Sequence, residues 1–195
     1  FALFFFKQND DSHQGKTVAE VFQSLKKILI QPRLIILILI VSGFWIIQQQ
    51  LYATMPKYVI RLRGDEARPE WLANVNPATV VLFVILITNL MKKRKAVTSM
   101  LVGMILMPFS AFAMSFSQSL EGIMGTDISI FGLISMHPIT IMLIVGIAIQ
   151  GLAECFISPR FLEYFSFLAP KGEEGVYLGF SHLHSFISAL VGFIM

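Results

Sequence analysis

Five stretches of this chain run far enough without an acidic or basic side chain to cross a hydrocarbon core, which takes about 20 helical residues. They are Leu34 to Pro56, Trp71 to Met91, Ala96 to Leu120, Ile128 to Ala153 and Gly175 to Met195. All are rich in Ile, Leu, Val and Phe, and none shows the alternation over about ten residues that a lipid-facing barrel strand requires. A backbone that crosses lipid must satisfy its own polar groups, so the runs are predicted to be helices. The expected fold class is all-α, a polytopic membrane helix bundle. Composition agrees: 55% of the residues are hydrophobic and 14% charged, and the mean hydropathy is +0.72, outside the balance of a soluble domain.

The charges lie between the runs and orient them. Lys16, Lys26, Lys27 and Arg33 outnumber Glu20 ahead of the first run, and Lys92-Lys93-Arg94-Lys95 joins the second to the third, which places both segments in the cytoplasm. The segment Lys57 to Glu70 is mixed, with Asp65, Glu66 and Glu70 against Lys57, Arg61, Arg63 and Arg68. The next connection on that side carries Glu121 and Asp127, and both are assigned to the outside. Parity then puts Arg160 to Glu174 in the cytoplasm and the continuation after Met195 outside. The net charge of +3 follows the same positive-inside bias and gathers on no basic face that would hold nucleic acid. A single Cys155 excludes an internal disulfide and, next to Glu154 in a helical run, has no metal-ligand spacing.

Residues 1–6 lack a basic leader and a cleavage site and read as the end of an earlier spanning helix. Residues 7–33 read as a cytoplasmic linker, polar from Gln8 to Thr17 and then an amphipathic surface helix from Val18 to Ile30. The chain opens on Phe1, and Met195 falls inside an apolar run, so a fragment is expected. Pro77 sits at the outer start of the second run, where a proline costs little, which places Asn76 at or near an N-cap. Pro108 lies mid-span in the third helix and Pro159 at the inner end of the fourth, and each is expected to bend or end its helix.

Polar groups inside the runs are the candidates for function. Glu154 lies about one and a half turns inside Pro159, and a carboxylate at such depth is rare. It either pairs with Arg160 or a lysine at the cytoplasmic surface, or it has a functional role. Desolvated, it exchanges a proton; beside a basic partner, it stays ionised and gates the protein or binds an amine. Gln48, Gln49 and Gln50 sweep most of the helix circumference at ~100° per residue. At least one then meets the bundle interior or a cavity, because an unpaired amide in lipid costs several kcal/mol; the alternative is that all three are solvated at the outer interface. His182 and His184 point about 200° apart on one helix and so chelate no single metal. One of them faces a water-filled cavity or makes an interhelical hydrogen bond. With no phosphate loop, nucleophile elbow or paired carboxylates, neither enzyme activity nor a cofactor is expected.

These residues resemble the C-terminal half of a major facilitator superfamily transporter, most closely the proton-dependent oligopeptide transporter family. The tenth helix of that family carries a Glu, then Ser-Pro, Leu-Glu and Ala-Pro, at the spacing of Glu154, Ser158-Pro159, Leu162-Glu163 and Ala169-Pro170. Its seventh helix has Phe-Trp followed by Glu-Gln, similar to Phe44-Trp45 and Gln49-Gln50. Its eighth helix opens with Asn-Pro after an outer loop that often holds a Trp, as Asn76-Pro77 and Trp71 do here. The resemblance spans about Val21 to Phe193 and makes the five runs helices seven to eleven, so that residues 34–195 form an incomplete six-helix bundle without its last helix.

The resemblance implies a multi-pass protein of the plasma (inner) membrane. It also implies proton-coupled symport of di- and tripeptides or related small polar solutes by alternating access. Asn76 and Glu154 would hold the amino end of a peptide, Trp45, Gln49, Gln50 and Ser181 would line the same cavity, and Glu154 and His182 would be candidates for proton coupling. The implied partners are the solute, protons, the lipid bilayer and the N-terminal half of the same transporter. Three departures stand out: Gln49 replaces the usual Glu, Ala153 replaces the Gly before Glu154, and Ser181-His182 falls where helix eleven presents a pocket Trp. They leave room for a permease of sugars, amino acids or nucleosides, or for a membrane interaction protein that kept the helices without transport.

Overall fold

A computed structural model describes residues 17–64, 69–124, 128–130 and 134–194. The stretch Phe1 to Phe6, the polar linker as far as Lys16, and Asp65, Glu66, Arg68 and Asp127 lie outside the described residues. The described elements are α1 (Val18–Leu29), α2 (Pro32–Ala53), α3 (Met55–Arg63), α4 (Pro69–Ala73), α5 (Val75–Met91), α6 (Ala96–Ser115) and α7 (Ser117–Met124). After them come β1 (Ile128–Ile130), β2 (Ile134–Met136), α8 (Pro138–Leu168), α9 (Glu174–Ser181) and α10 (Leu183–Ile194). Among the described residues, five helical spans are long and apolar enough to cross a membrane, namely α2, α4–α5, α6, α8 and α9–α10. The polytopic helix bundle read from the sequence is the architecture of the protein.

The sequence places the five runs correctly but not all of their ends. Ile128–Ile130 and Ile134–Met136 are not helical: they form β1 and β2, paired antiparallel with Ile128 opposite Met136, as suits Ile-rich segments too short to nucleate a helix. The fourth helix starts only at Pro138, at the first-turn position a proline tolerates, with His137 as the N-cap. His137 Nδ1 accepts a hydrogen bond from the Ile139 N–H at 3.3 Å. At its other end α8 runs unbroken through Pro159 to Leu168, 31 residues in all, so Pro159 does not end it and Arg160 is a helical residue rather than part of a loop. Pro108 likewise sits inside a continuous α6. The second run is interrupted at Asn74, which is the N-cap residue of α5 in place of Asn76, and the fifth is interrupted at His182.

The core is divided along the membrane normal. One cluster joins Ile28, Leu34, Ile38, Val41 and Phe44 to Met100 and Met107 of α6, Ile157, Phe161 and Phe165 of α8, and Tyr177 and Phe180 of α9. A second cluster joins Leu51, Met55, Val59 and Leu72 to Ile139, Leu143 and Ile147 of α8. The basic connection Lys92 to Lys95 and the basic end of α1 flank the first cluster, the end that the charge bias assigns to the cytoplasm. Between the clusters lies a polar layer containing Gln48, Asn76, Thr79, Gln150 and Glu154. The outward faces remain apolar, as Val81, Leu82, Ile85 and Leu86 of α5 and Ile105, Phe109 and Phe112 of α6 show, and such broad exposed patches fit contact with lipid.

Lipid gives helices no hydrophobic reason to associate, so α6 and α8 adhere through close backbone approach. A Cβ at Gly103 would lie 2.6 Å from Ile157 Cγ1 and 2.7 Å from the Ala153 carbonyl oxygen, and Gly146 is similarly closed in by Met114 and the Ser110 carbonyl. Ser99 Oγ donates to the Phe156 carbonyl at 2.8 Å across the same seam. Gly103→Ala is therefore expected to destabilise the bundle by ~1–3 kcal/mol, since a backbone oxygen cannot yield as a side chain can. Gly43→Ala, where no atom lies within 4 Å, is the control. Thermal unfolding in detergent should show a lower midpoint for the first variant and none for the second.

Candidate functional site

Glu154 is the charged member of the polar layer. It projects from α8 towards α2 and α5, where Gln48 Nε2 donates to its Oε2 at 2.9 Å and Asn76 Nδ2 donates to the same oxygen at 3.2 Å. Both bonds fall on Oε2, which leaves Oε1 open to a further donor. Arg160 is not its partner: the Arg160 guanidinium pairs through Nη1 with Glu163 at 2.5 Å, one turn along the same helix. The surface ion pair that was one reading of Glu154 is thus absent, and two neutral amides carry the carboxylate instead. A charge-assisted hydrogen bond is roughly twice as strong as a neutral one, which is why two donors suffice to hold such a group.

The local sequence explains how each donor arrives. On α2, Val41, Phe44, Gln48 and Leu51 are buried and recur at helical spacing, so Gln48 continues the stripe that faces the bundle. On α5, Asn76 sits inside the first turn instead of capping it, and its buried side chain is free to reach α8. Pro77 has no N–H to extend the preceding helix, which separates α4 from α5 at this level. Gly151 of α8 admits Asn76: an added Cβ there would stand 2.8 Å from Asn76 Oδ1 and 3.0 Å from both the Asn76 carbonyl and Thr79 Cβ. Cys155 Sγ, 3.8 Å from the Val80 carbonyl, continues the α5–α8 contact.

Glu154 opens into a cavity of about 250 Å³ walled by Trp45, Gln48, Gln49, Tyr52, Asn76, Pro77, Val80 and Val81. Of the residues singled out from the sequence, Trp45, Gln49, Asn76 and Glu154 meet here. Three others do not. Gln50 turns away to donate to the Gly192 carbonyl of α10 at 3.2 Å, accepts from Thr54 Oγ1, and lines a separate, mainly apolar cavity of about 350 Å³ with Gln150, Ser110 and Tyr58. Ser181 is buried and donates to the Leu178 carbonyl at 2.7 Å. His182 lies at the break between α9 and α10, on a different cavity. Gln48 was missed as a ligand of Glu154, although its place in the Val41–Phe44–Leu51 stripe was available in the sequence. Among the described residues no group of three metal-ligating side chains is present.

With this geometry in place, a comparison with protein families is decisive: residues 8–195 match the POT family. The chain belongs to the POT family. Members are transporters, not enzymes, so the bundle is that of a multi-pass integral membrane transporter of the peptide-transport class. No curated protein and no solved structure matches the chain.

The POT assignment leaves the energetics of the carboxylate to this chain's own residues. Asn76→Leu removes one of the two donors to Glu154 and is expected to cost ~1–3 kcal/mol of stability. Glu154→Leu removes the reason for the donor, so the double variant should be less destabilised than the sum of the two singles, with a coupling of about 0.6–1.7 kcal/mol. Equilibrium unfolding of the four proteins in mixed micelles measures that coupling. A value of zero would mean that the contact carries no energy.

Proposed function

We propose that this POT-family chain contributes to proton-coupled symport of di- and tripeptides across the plasma membrane by alternating access, with Glu154 holding the peptide's amino terminus. The observation that carries the reading is the single carboxylate on the wall of a small, mostly apolar cavity in mid-bundle, with one oxygen committed to Gln48 and Asn76 and the other open. An ammonium is a compact cation with three donors and no acceptor, and Oε1 offers it charge and a lone pair in one place. Gln48 Oε1 is buried and without a partner, a second acceptor beside the same carboxylate. Tyr52 and Trp45 give the cavity amphipathic walls that a peptide backbone with a variable side chain can lie against.

Gln49 also lines the cavity, exposed, and adds a neutral amide where family members carry a Glu. It can orient the peptide amide by hydrogen bonding but takes up no proton. Proton-driven uptake of a mixed di- and tripeptide pool by the full-length protein in liposomes tests the reading. Removing one partner of a desolvated, charged hydrogen bond costs ~2–5 kcal/mol, so Glu154→Gln should lower uptake at least ~30-fold. N-acetylation of the peptides, which removes the ammonium, should lower uptake by the unsubstituted protein to the level of the variant. Equal transport of free and N-acetylated peptides would show that Glu154 does not bind the amine, and uptake of another solute class in place of peptides would move the assignment to that class.

A further inference from the structure

The last span breaks at His182, between α9 and α10, and discontinuous membrane helices are where transporters of many folds bind ions. Two imidazoles meet at this break. A straight helix would send His182 and His184 to opposite sides, yet the interruption brings their ring centroids to 6.1 Å. His182 Nδ1 lies 2.8 Å from the Leu178 carbonyl oxygen and His184 Nδ1 lies 2.5 Å from that of Ser181. A carbonyl only accepts, so each Nδ1 carries its hydrogen and each neutral ring presents a lone pair at Nε2. Ser185 Oγ, 3.1 Å from His184 Nε2, donates to one of them. His182 is exposed and His184 buried, which sets one ring at an entrance and the other inside.

We propose that His182 and His184 form a single-proton site at the helix break, a second proton-binding centre separate from Glu154. The proton binds an Nε2 lone pair, converting one imidazole to imidazolium while its Nδ1–H stays on the helix carbonyl; two imidazolium rings at 6.1 Å repel, so the pair holds one. Among the described residues lining the pair, no ionised side chain competes. The groups facing the pair from neighbouring helices are Val21 and Leu25 of α1, Trp45 of α2, and Ser158, Phe161 and Leu162 of α8, none of them charged. In place of a carboxylate, aromatic rings surround His184: Trp45, at 5.5 Å, lies within the range of a cation–π contact, and Phe161 packs at 5.0 Å with its plane nearly perpendicular to the imidazole. Ser158 Oγ, buried and unpartnered, faces the same cavity of about 250 Å³. Trp45 also walls the Glu154 cavity, so one indole separates the two centres. The role of the site in coupling rests on the transport reading; its existence does not.

Trp45 reports on the pair directly, because an imidazolium in contact with an indole quenches its emission. In a Trp71→Phe background Trp45 is the only tryptophan of this chain. Its fluorescence, followed over about pH 5 to 8 where imidazoles titrate, is expected to show one quenching step. The step should be lost in His184→Gln, lost or shifted in His182→Gln, and kept in Glu154→Gln. The ¹⁵N shifts of histidine-labelled protein supply the same titration with no substitution at either ring, and should show His182 and His184 sharing one proton. Absence of the step, its persistence in both histidine variants, or its loss in Glu154→Gln would overturn the proposal. A titration that stands while no peptide is taken up would leave the proton site in place and remove the peptide reading alone.

Discussion

Hydrocarbon supplies no water to a carboxylate, and the middle of this bundle is arranged around that one deficit. Glu154 is met from α2 by Gln48 and from α5 by Asn76, so three helices are joined at a single level by hydrogen bonds to one oxygen. Above and below, the contacts revert to Leu, Ile, Phe and Met in two separate clusters. A continuous apolar core would hold the helices as well or better, since replacing buried ionic groups with packed hydrophobic ones is often neutral or stabilising. The polar layer is therefore better understood as a cost borne for function than as a source of stability, in line with the usual meaning of an ionisable group at this depth.

Holding the carboxylate requires that α5 come close to α8, and glycine makes that approach possible. Gly151 faces Asn76 and Thr79, whereas Gly146 faces α6 on another side of the same helix. Five residues turn an α-helix through about 500°, so the two glycines point to different neighbours and α8 can be crowded on two sides at once. This places α8 at the centre of the bundle: it contributes residues to both apolar clusters, carries the carboxylate between them, and bears towards its far end the pair of a buried Arg160 with a half-exposed Glu163. Arg160 keeps Nε and Nη2 buried without a protein partner, a second unspent polar group on the same helix.

The fold was legible because hydrocarbon imposes length and apolarity on every span, and those are one-dimensional properties of a sequence. Glu154 was legible for the same reason, as a charge that breaks the rule. What could not be read was three-dimensional. Which of three adjacent glutamines turns inward depends on the rotation of α2 about its axis; packing against α8 selects Gln48, and Gln50 is carried round to α10. The interruption at Asn74 falls just ahead of Pro77, whose missing N–H cannot extend the preceding helix, but the one at His182 has no proline at the break, so the histidine pair looked divergent when spaced on an ideal helix. The β1–β2 ribbon was hidden because an apolar run reads alike as strand or helix until its length and turns are known.

Symport, as proposed, would add a demand that one carboxylate cannot meet. A carboxylate that binds an ammonium must be ionised, and one that carries a proton has lost the charge that the ammonium needs, so peptide and proton compete for Glu154 if it is the only acceptor. Gln49, on the wall of the same cavity, is a neutral amide and takes no share of a proton's binding. As proposed, the imidazole pair would resolve the conflict by distance and by charge type: neutral when empty, positive when loaded, and separated by Trp45 from the cavity of Glu154. A loaded pair would repel a nearby ammonium, and the intervening indole offers that cation a π face while keeping the two apart. Proton and peptide can then be bound at once, which is the condition that distinguishes symport from exchange.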